Sequence, residues 1–143
     1  MREILFRGKR IDNDEWACGS FCMDAIELKN GPCGVDGFIR LFDFHMGKMQ
    51  MHEVDRETVG QFIGLTDKNG KKIFEGDLIK ADNGDGISKD SPLIVSKPDF
   101  YAGFTSGRII DGEYIENNVL NQYIASQMIV VGNIHENPEL LEG

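Results

Sequence analysis

Apolar and polar positions alternate in short runs along most of this chain, and clusters of glycine, asparagine and aspartate separate the runs. A period of two places successive side chains on opposite faces of a strand, so the pattern predicts strands joined by tight reversals. Residues 2–23 read as a first hairpin: 3–11 extend, Asp12-Asn13-Asp14-Glu15 supply the turn, and 16–22 return. Aspartate and asparagine suit that turn because their short side chains bond nearby backbone and tolerate positive φ. Trp16, Cys18, Ser20 and Cys22 then share one face of the returning strand. After a loop dense in breakers at 30–37, residues 38–42 and 49–54 give two more strands around a turn near Gly47.

The strongest local signal is in the middle of the chain. Residues 61–66, then Asp67-Lys68-Asn69-Gly70, then 71–74 read as a hairpin centred on Asn-Gly. Glu75-Gly76-Asp77 kinks the chain before a strand at 78–81, and a glycine inside a strand pattern marks a bulge or barrel corner. A polar loop at 82–91 leads to strands at 93–95 and 100–110, and Asp111-Gly112 turns into 113–116. Val119, Leu120, Tyr123 and Ile124 fall on one side of a helix, with Gln127 and Met128 after them, which predicts a short helix near 118–126. Residues 128–134 are β-branched and strand-like. Asn137-Pro138-Glu139-Leu140-Leu141 starts a one-turn helix, with Asn137 as cap and Pro138 at the first position. Closely spaced strands with at most two brief helices make the chain mainly β: a barrel or sandwich with a meander attached.

Composition changes this picture little. A chain of 143 residues forms one compact domain or two small lobes, and needs no metal or disulfide to fold. Seventeen glycines against four prolines fit many tight turns better than long helices. Charge matters more: Lys+Arg 15 against Asp+Glu 24 leaves a formal net of -9. Such a field repels phosphate backbones and favours solubility or a basic partner. No apolar run reaches the ~18 residues of a membrane span, and charges enter too early after Met1 for a signal peptide. Three cysteines are too few for a disulfide framework, so a reducing cytoplasm is expected.

Tests for reactive constellations assign no catalytic, cofactor-binding or metal-binding residue. Cys18, Cys22, Cys33, His45 and His52 lack zinc-knuckle spacing, and Cys18 and Cys22 read better as buried, reduced thiols on a strand face. Asn83-Gly84-Asp85-Gly86-Ile87 looks like a calcium loop, but the terminal ligand positions fall on Ala81 and Pro92, which offer no carboxylate. Gly103-Phe104-Thr105-Ser106-Gly107 is not a nucleophile elbow, and His45, His52 and His135 sit in no motif with a base or an orienting carboxylate. Asp43, Glu53, Asp55, Glu57, Glu75 and Asp77 read as a solvated acidic surface rather than a glycosidase-like pair. The basic clusters are Arg7, Lys9 and Arg10, then Lys68, Lys71 and Lys72 at a hairpin tip, where lysines commonly protect an edge.

Three segments together resemble the YopX-like family of phage and prophage proteins. They are Phe6-Arg7-Gly8-Lys9 with Glu15-Trp16, the long stretch 57–77 containing Gly64-Leu65-Thr66-Asp67-Lys68-Asn69-Gly70, and Val131-Gly132-Asn133-Ile134-His135-Glu136-Asn137-Pro138-Glu139-Leu140-Leu141. Ile63 stands where a polar residue is expected, and 82–127 carries none of the likeness. The resemblance implies an N-terminal antiparallel meander at 1–56 and a small open, SH3-like β-barrel at 57–143 with 82–127 as variable insert, forming one compact unit. It also implies a cytoplasmic protein of a phage or integrated element, and no catalytic residues.

The expected role is a non-enzymatic interaction module acting on a host or phage protein, with self-association as a homo-oligomer among the outcomes. Short strands leave edges available for pairing, which motivates it. A first rival is a single-strand nucleic-acid binder using Phe62, Phe74 or Tyr101 with the lysine-rich tip, against which the net charge stands. A second rival is a hydrolase using paired carboxylates.

Overall fold

A computed structural model of the protein describes residues 5–21, 38–45, 47–82, 84–97, 103–110 and 113–141. These residues are mainly strand and form antiparallel, open sheets, with no closed barrel among them. The chain divides into two compact units, Met1–Phe62 and Ile63–Gly143.

The first unit is the N-terminal meander. Strands β1 (Phe6–Lys9), β2 (Trp16–Phe21), β3 (Phe38–His45) and β4 (Lys48–Asp55) lead through a 3₁₀ turn, Arg56–Thr58, to β5 (Gly60–Thr66). Their order in the sheet is β4-β3-β2-β1-β5. The β3–β4 ladder runs without a break from Phe38↔Asp55 to His45↔Lys48. Between β1 and β2 the predicted turn forms: Arg10 N–H donates to the Glu15 carbonyl at 2.8 Å, and Glu15 N–H donates to Asn13 Oδ1 at 3.0 Å. Thr58, buried, locks the 3₁₀ turn onto β1, since its hydroxyl donates to the Asp55 carbonyl at 2.7 Å and accepts from Lys9 N–H at 2.8 Å.

Ala17, Leu41 and Val54 form the core of this unit, with Phe6 and Val59 packed against them. Val54 sits directly over Gly8, whose ladder partner is Ala17, so these small residues face inward. The opposite face carries Arg7, with its guanidinium 4.8 Å from the Trp16 ring centre, and Cys18, which is exposed. Cys18 is therefore not the buried thiol expected from its strand position; the space over Gly8 decides which face turns in. Cys22 and Cys33 lie outside the described residues.

In the second unit β6 (Lys72–Phe74) lies beside β5, and a separate five-stranded sheet has the order β10-β9-β8-β7-β11. Its strands are β7 (Asp77–Ala81), β8 (Leu93–Ser96), β9 (Thr105–Ile110), β10 (Glu113–Val119) and β11 (Met128–Asn133). Helix α1 spans Gln122–Ala125 and a 3₁₀ turn spans Pro138–Leu141. The stretch 82–127 thus contributes three strands of this sheet. The core gathers Ile63, Ile73, Ile79, Leu93, Val95, Phe104, Leu120, Ala125 and Met128. Ile63, where a polar residue was expected, belongs to that core.

Three local expectations are corrected here. The helix is confined to 122–125, because Val119 still pairs with Thr105 and Leu120 N–H donates to the Phe104 carbonyl at 3.0 Å. Asn121 then caps the helix through its side chain, and Tyr123 turns outward with 73% exposure. Asn69-Gly70 is not the centre of a two-residue turn. Asp67 and Lys71 close a three-residue loop, with Gly70 N–H on the Asp67 carbonyl and Gly70 at φ +82°, the left-handed position that such loops reserve for glycine. Finally, Asn137 directs Oδ1 back to Asn133 N–H at 3.2 Å, holding the bend before the 3₁₀ turn from the other side.

Candidate interaction surface

Two acidic residues of the long central motif, Asp67 and Asp77, are part of the scaffold. Asp67 is 5% exposed, and its carboxylate accepts from three backbone donors. Oδ1 takes Asn69 N–H at 2.8 Å and Lys71 N–H at 2.9 Å; Oδ2 takes Val130 N–H at 3.0 Å. Lys68 N–H adds a bond to the Met128 carbonyl at 2.8 Å. The hairpin tip is thereby fastened to β11 at residues sixty or more positions away. Asp77, 1% exposed, accepts Phe74 N–H at 2.8 Å across the Gly76 kink. Both carboxylates are buried and occupied as acceptors of backbone N–H groups, which closes them to a substrate.

Among the described residues the other sequence candidates form no cluster, apart from His52 and Glu53, which line one cleft. Asp55 is exposed and accepts Glu57 N–H at 3.0 Å, as a local turn bond. Ser106 is fully buried, its Oγ with no hydrogen-bond partner among the described residues, so no substrate reaches it. Among the described residues no three His, Cys, Asp or Glu side chains gather as a metal site. The calcium-like loop is a reversal closed by the Asp82↔Ile87 bridge and by Ser88 N–H on the Ala81 carbonyl at 2.8 Å. Asp82 takes Gly84 N–H at 3.2 Å and lies 3.3 Å from Lys68 Nζ. These two contacts, the backbone bond first, hold its carboxyl below the ordinary aspartate range.

For single-strand binding, Lys71 and Lys72 are exposed as expected, but Phe62 and Phe74 are only 6% exposed and present no open ring for stacking. Tyr101 lies outside the described residues. A cleft of about 320 Å³ in the first unit is lined by Arg10, Ile11, Asp12, Met51, His52 and Glu53. Its arginine is already held by Asp12 through contacts of 3.0 and 2.7 Å. No helix of the described residues is long and apolar enough to cross a membrane.

What remains is a surface. Of the eight large hydrophobic residues exposed among the described ones, Ile109, Ile110, Ile115, Val119 and Tyr123 fall between positions 109 and 123. They belong to the β9–β10 hairpin and the helix after it. Ile115 pairs with Arg108 and Ile110 with Glu113, which puts these four on one face; Ile109 and its partner Tyr114 occupy the other. The Tyr114 ring crosses Gly107, where a Cβ would meet it, and its hydroxyl lies 3.2 Å from Thr105 Oγ1 and 3.4 Å from the Ile94 carbonyl. The hairpin base is thus anchored to β8, while both faces of its outer part are open. β10 is the outermost strand of its sheet, with β9 as its one neighbour among the described residues.

The family description YopX protein matches residues 38–142 of this chain. The chain belongs to the YopX family. Two of the three resembling segments lie inside that match, and the first, at Phe6 to Trp16, precedes it. The crystal structure of protein EF1440 from Enterococcus faecalis is similar over 99% of this chain and 99% of its own, with 24% identity and a TM-score of 0.55. That likeness shows a shared fold and nothing about activity. No curated protein matches the chain. In this YopX chain the most recognisable segment coincides with the Asp67 and Asp77 fastenings, so the family motif reads as architecture. The open hairpin lies in 82–127, a stretch whose likeness was not visible in the sequence but which the family match spans.

Proposed function

We propose that this YopX chain is a non-enzymatic interaction module of a phage or prophage, working in the host cytoplasm by binding a host or phage protein. The observation that carries it is the β9–β10 hairpin: an outer strand with apolar side chains open on both faces. Isolated exposed hydrophobics need no explanation, but a cluster on a sheet edge marks a binding site or an aggregation hazard. A chain of net charge -9 is kept soluble by repulsion, which makes the binding reading the better one. Hydrolysis finds less support, since the acids placed by the geometry serve backbone donors. Nucleic-acid binding loses two of its stacking rings to the interior.

The test is affinity capture of tagged full-length chain during lysogeny and induction, run in parallel with Ile115→Lys in the hairpin and Met51→Lys in the cleft. The proposal expects a protein that wild type and Met51→Lys retain and Ile115→Lys loses. Equal recovery by all three, or loss with Met51→Lys alone, would place binding elsewhere.

A further inference from the structure

Three Asn-Gly pairs occur in the chain, at 30–31, 69–70 and 83–84. Asparagine is thermolabile, and most so before glycine, because a residue without Cβ lets its backbone nitrogen approach the preceding side-chain amide. Asn30 and Asn83 lie outside the described residues. Asn69 is exposed at the hairpin tip, and among the described residues its side-chain amide has no hydrogen-bond partner. Gly70 is also exposed, with open space where a Cβ would stand. Nothing there shields the pair from water.

The loop that carries the pair restrains it instead. Attack needs the Gly70 nitrogen without its proton, yet Gly70 N–H donates to the Asp67 carbonyl at 3.0 Å. An amide anion in that place would face the carbonyl oxygen. The Asp67 carboxylate is close by, bound to Asn69 N–H at 2.8 Å and Lys71 N–H at 2.9 Å, and one negative charge disfavours a second beside it. Those two bonds also hold the loop shut, so the nitrogen is released when the loop opens locally.

We infer that Asn69 is a modification site whose side-chain amide is lost spontaneously through Gly70, at a rate set by how often the Asp67-held loop opens. In the open loop the Gly70 nitrogen gives its proton to solvent hydroxide and bonds to Asn69 Cγ. The bond from Cγ to its NH₂ group breaks, and ammonia leaves with a proton taken from water, which closes a succinimide ring. Water then opens the ring at either carbonyl, giving aspartate or isoaspartate. The sum is amide plus water to carboxylic acid plus ammonia, with no oxidant or reductant. Either product adds a negative charge between Lys68 and Lys71. Isoaspartate also routes the main chain through the side-chain carbon, which lengthens the loop that Asp67 N–H closes on the Lys71 carbonyl at 2.8 Å. The modification thus loosens the tip that Asp67 fastens to Val130.

The test follows the full-length chain in warm, mildly alkaline buffer by peptide mapping and mass spectrometry, with isoaspartate identified by an isoaspartyl methyltransferase. Asn69 should convert in the folded chain about tenfold more slowly than in the same chain unfolded in urea. Asp67→Ala, its fold checked by circular dichroism, should speed Asn69 at least about fivefold relative to Asn30 and Asn83, since loss of a turn bond shifts an opening equilibrium by that order. Gly70→Ala should slow Asn69 and leave the other two pairs unchanged. The inference is overturned if Asn69 keeps its amide in the folded chain through an incubation that converts it fully in urea. Equal rates with and without urea overturn it too, as does an Asp67→Ala chain that folds but leaves the Asn69 rate unchanged. Should that variant fail to fold, the wild-type comparison with and without urea decides.

Discussion

Replacing Asp67 separates an architectural acid from a functional one. Its carboxylate accepts Asn69, Lys71 and Val130 N–H groups at 2.8, 2.9 and 3.0 Å, in a site 5% exposed. In Asp67→Ala the Val130 donor, half-buried, loses its acceptor, at a cost of ~1–3 kcal/mol. Asn69 and Lys71 are exposed and their amides regain water, so each of those lost bonds costs about 1 kcal/mol. The sum is about 3–5 kcal/mol, on the order of 10 °C in Tm for a chain of this length. In Asp67→Asn one oxygen remains, but the new NH₂ group must face either Val130 N–H or the two turn amides, donor against donor. The cost there is about 2–3 kcal/mol. Urea unfolding followed by circular dichroism should show both midpoints fall with the m-value unchanged. A loss under about 0.5 kcal/mol would refute the reasoning. A gain in stability in Asp67→Asn would do so more pointedly, since acids kept for function are commonly held at a cost to the fold.

The remaining predictions follow from single contacts. Ser106→Ala should leave stability unchanged or raise it by about 1 kcal/mol, because it removes a buried hydroxyl with no partner; a clear loss in urea would reveal a bond to that oxygen. Asn121→Ala should cost about 1 kcal/mol, because Oδ1 caps α1 through Ile124 N–H at 2.9 Å, with Asn121→Asp retaining most of it. Gly107→Ala should disturb the hairpin and abolish partner capture, since its Cβ would meet both the Tyr114 ring and the Ile115 carbonyl. Asp82 has a folded pKa below its unfolded one, so its contribution to stability is present above the unfolded value of about 3.9 and is lost as pH falls through the folded value. Asp82→Asn should remove that part of the acid dependence of unfolding, lowering the neutral-pH midpoint slightly and leaving the midpoint at pH below the folded value unchanged.

The strands were readable because alternation is local. Residues 38–54, 61–81 and 128–134 carry it in their own sequence, with turn residues where the chain reverses. What was not readable depends on distant residues. Spacing at Val119, Leu120, Tyr123 and Ile124 suits a helix equally well, and the bond from Leu120 to Phe104, not the spacing, ends the strand where it does. Period two gave the faces of β2 but not which one turns inward; Val54 above Gly8 settles that. Asp67 was visible as a turn residue, while its third donor, Val130, is 63 positions away. The exposed outer strand was hidden for the same reason. Being outermost is a property of strand order, and nothing in Glu113-Tyr114-Ile115-Glu116 announces it.

Amide hydrogen exchange of the full-length chain, alone and with its captured partner, reads the use of β10 directly. Amides within Glu113–Val119 should become more protected in the complex than in the free chain, with the cleft around Met51 unchanged. Protection confined to the first unit, with β10 exchanging as before, would contradict the assignment of this strand as the binding edge.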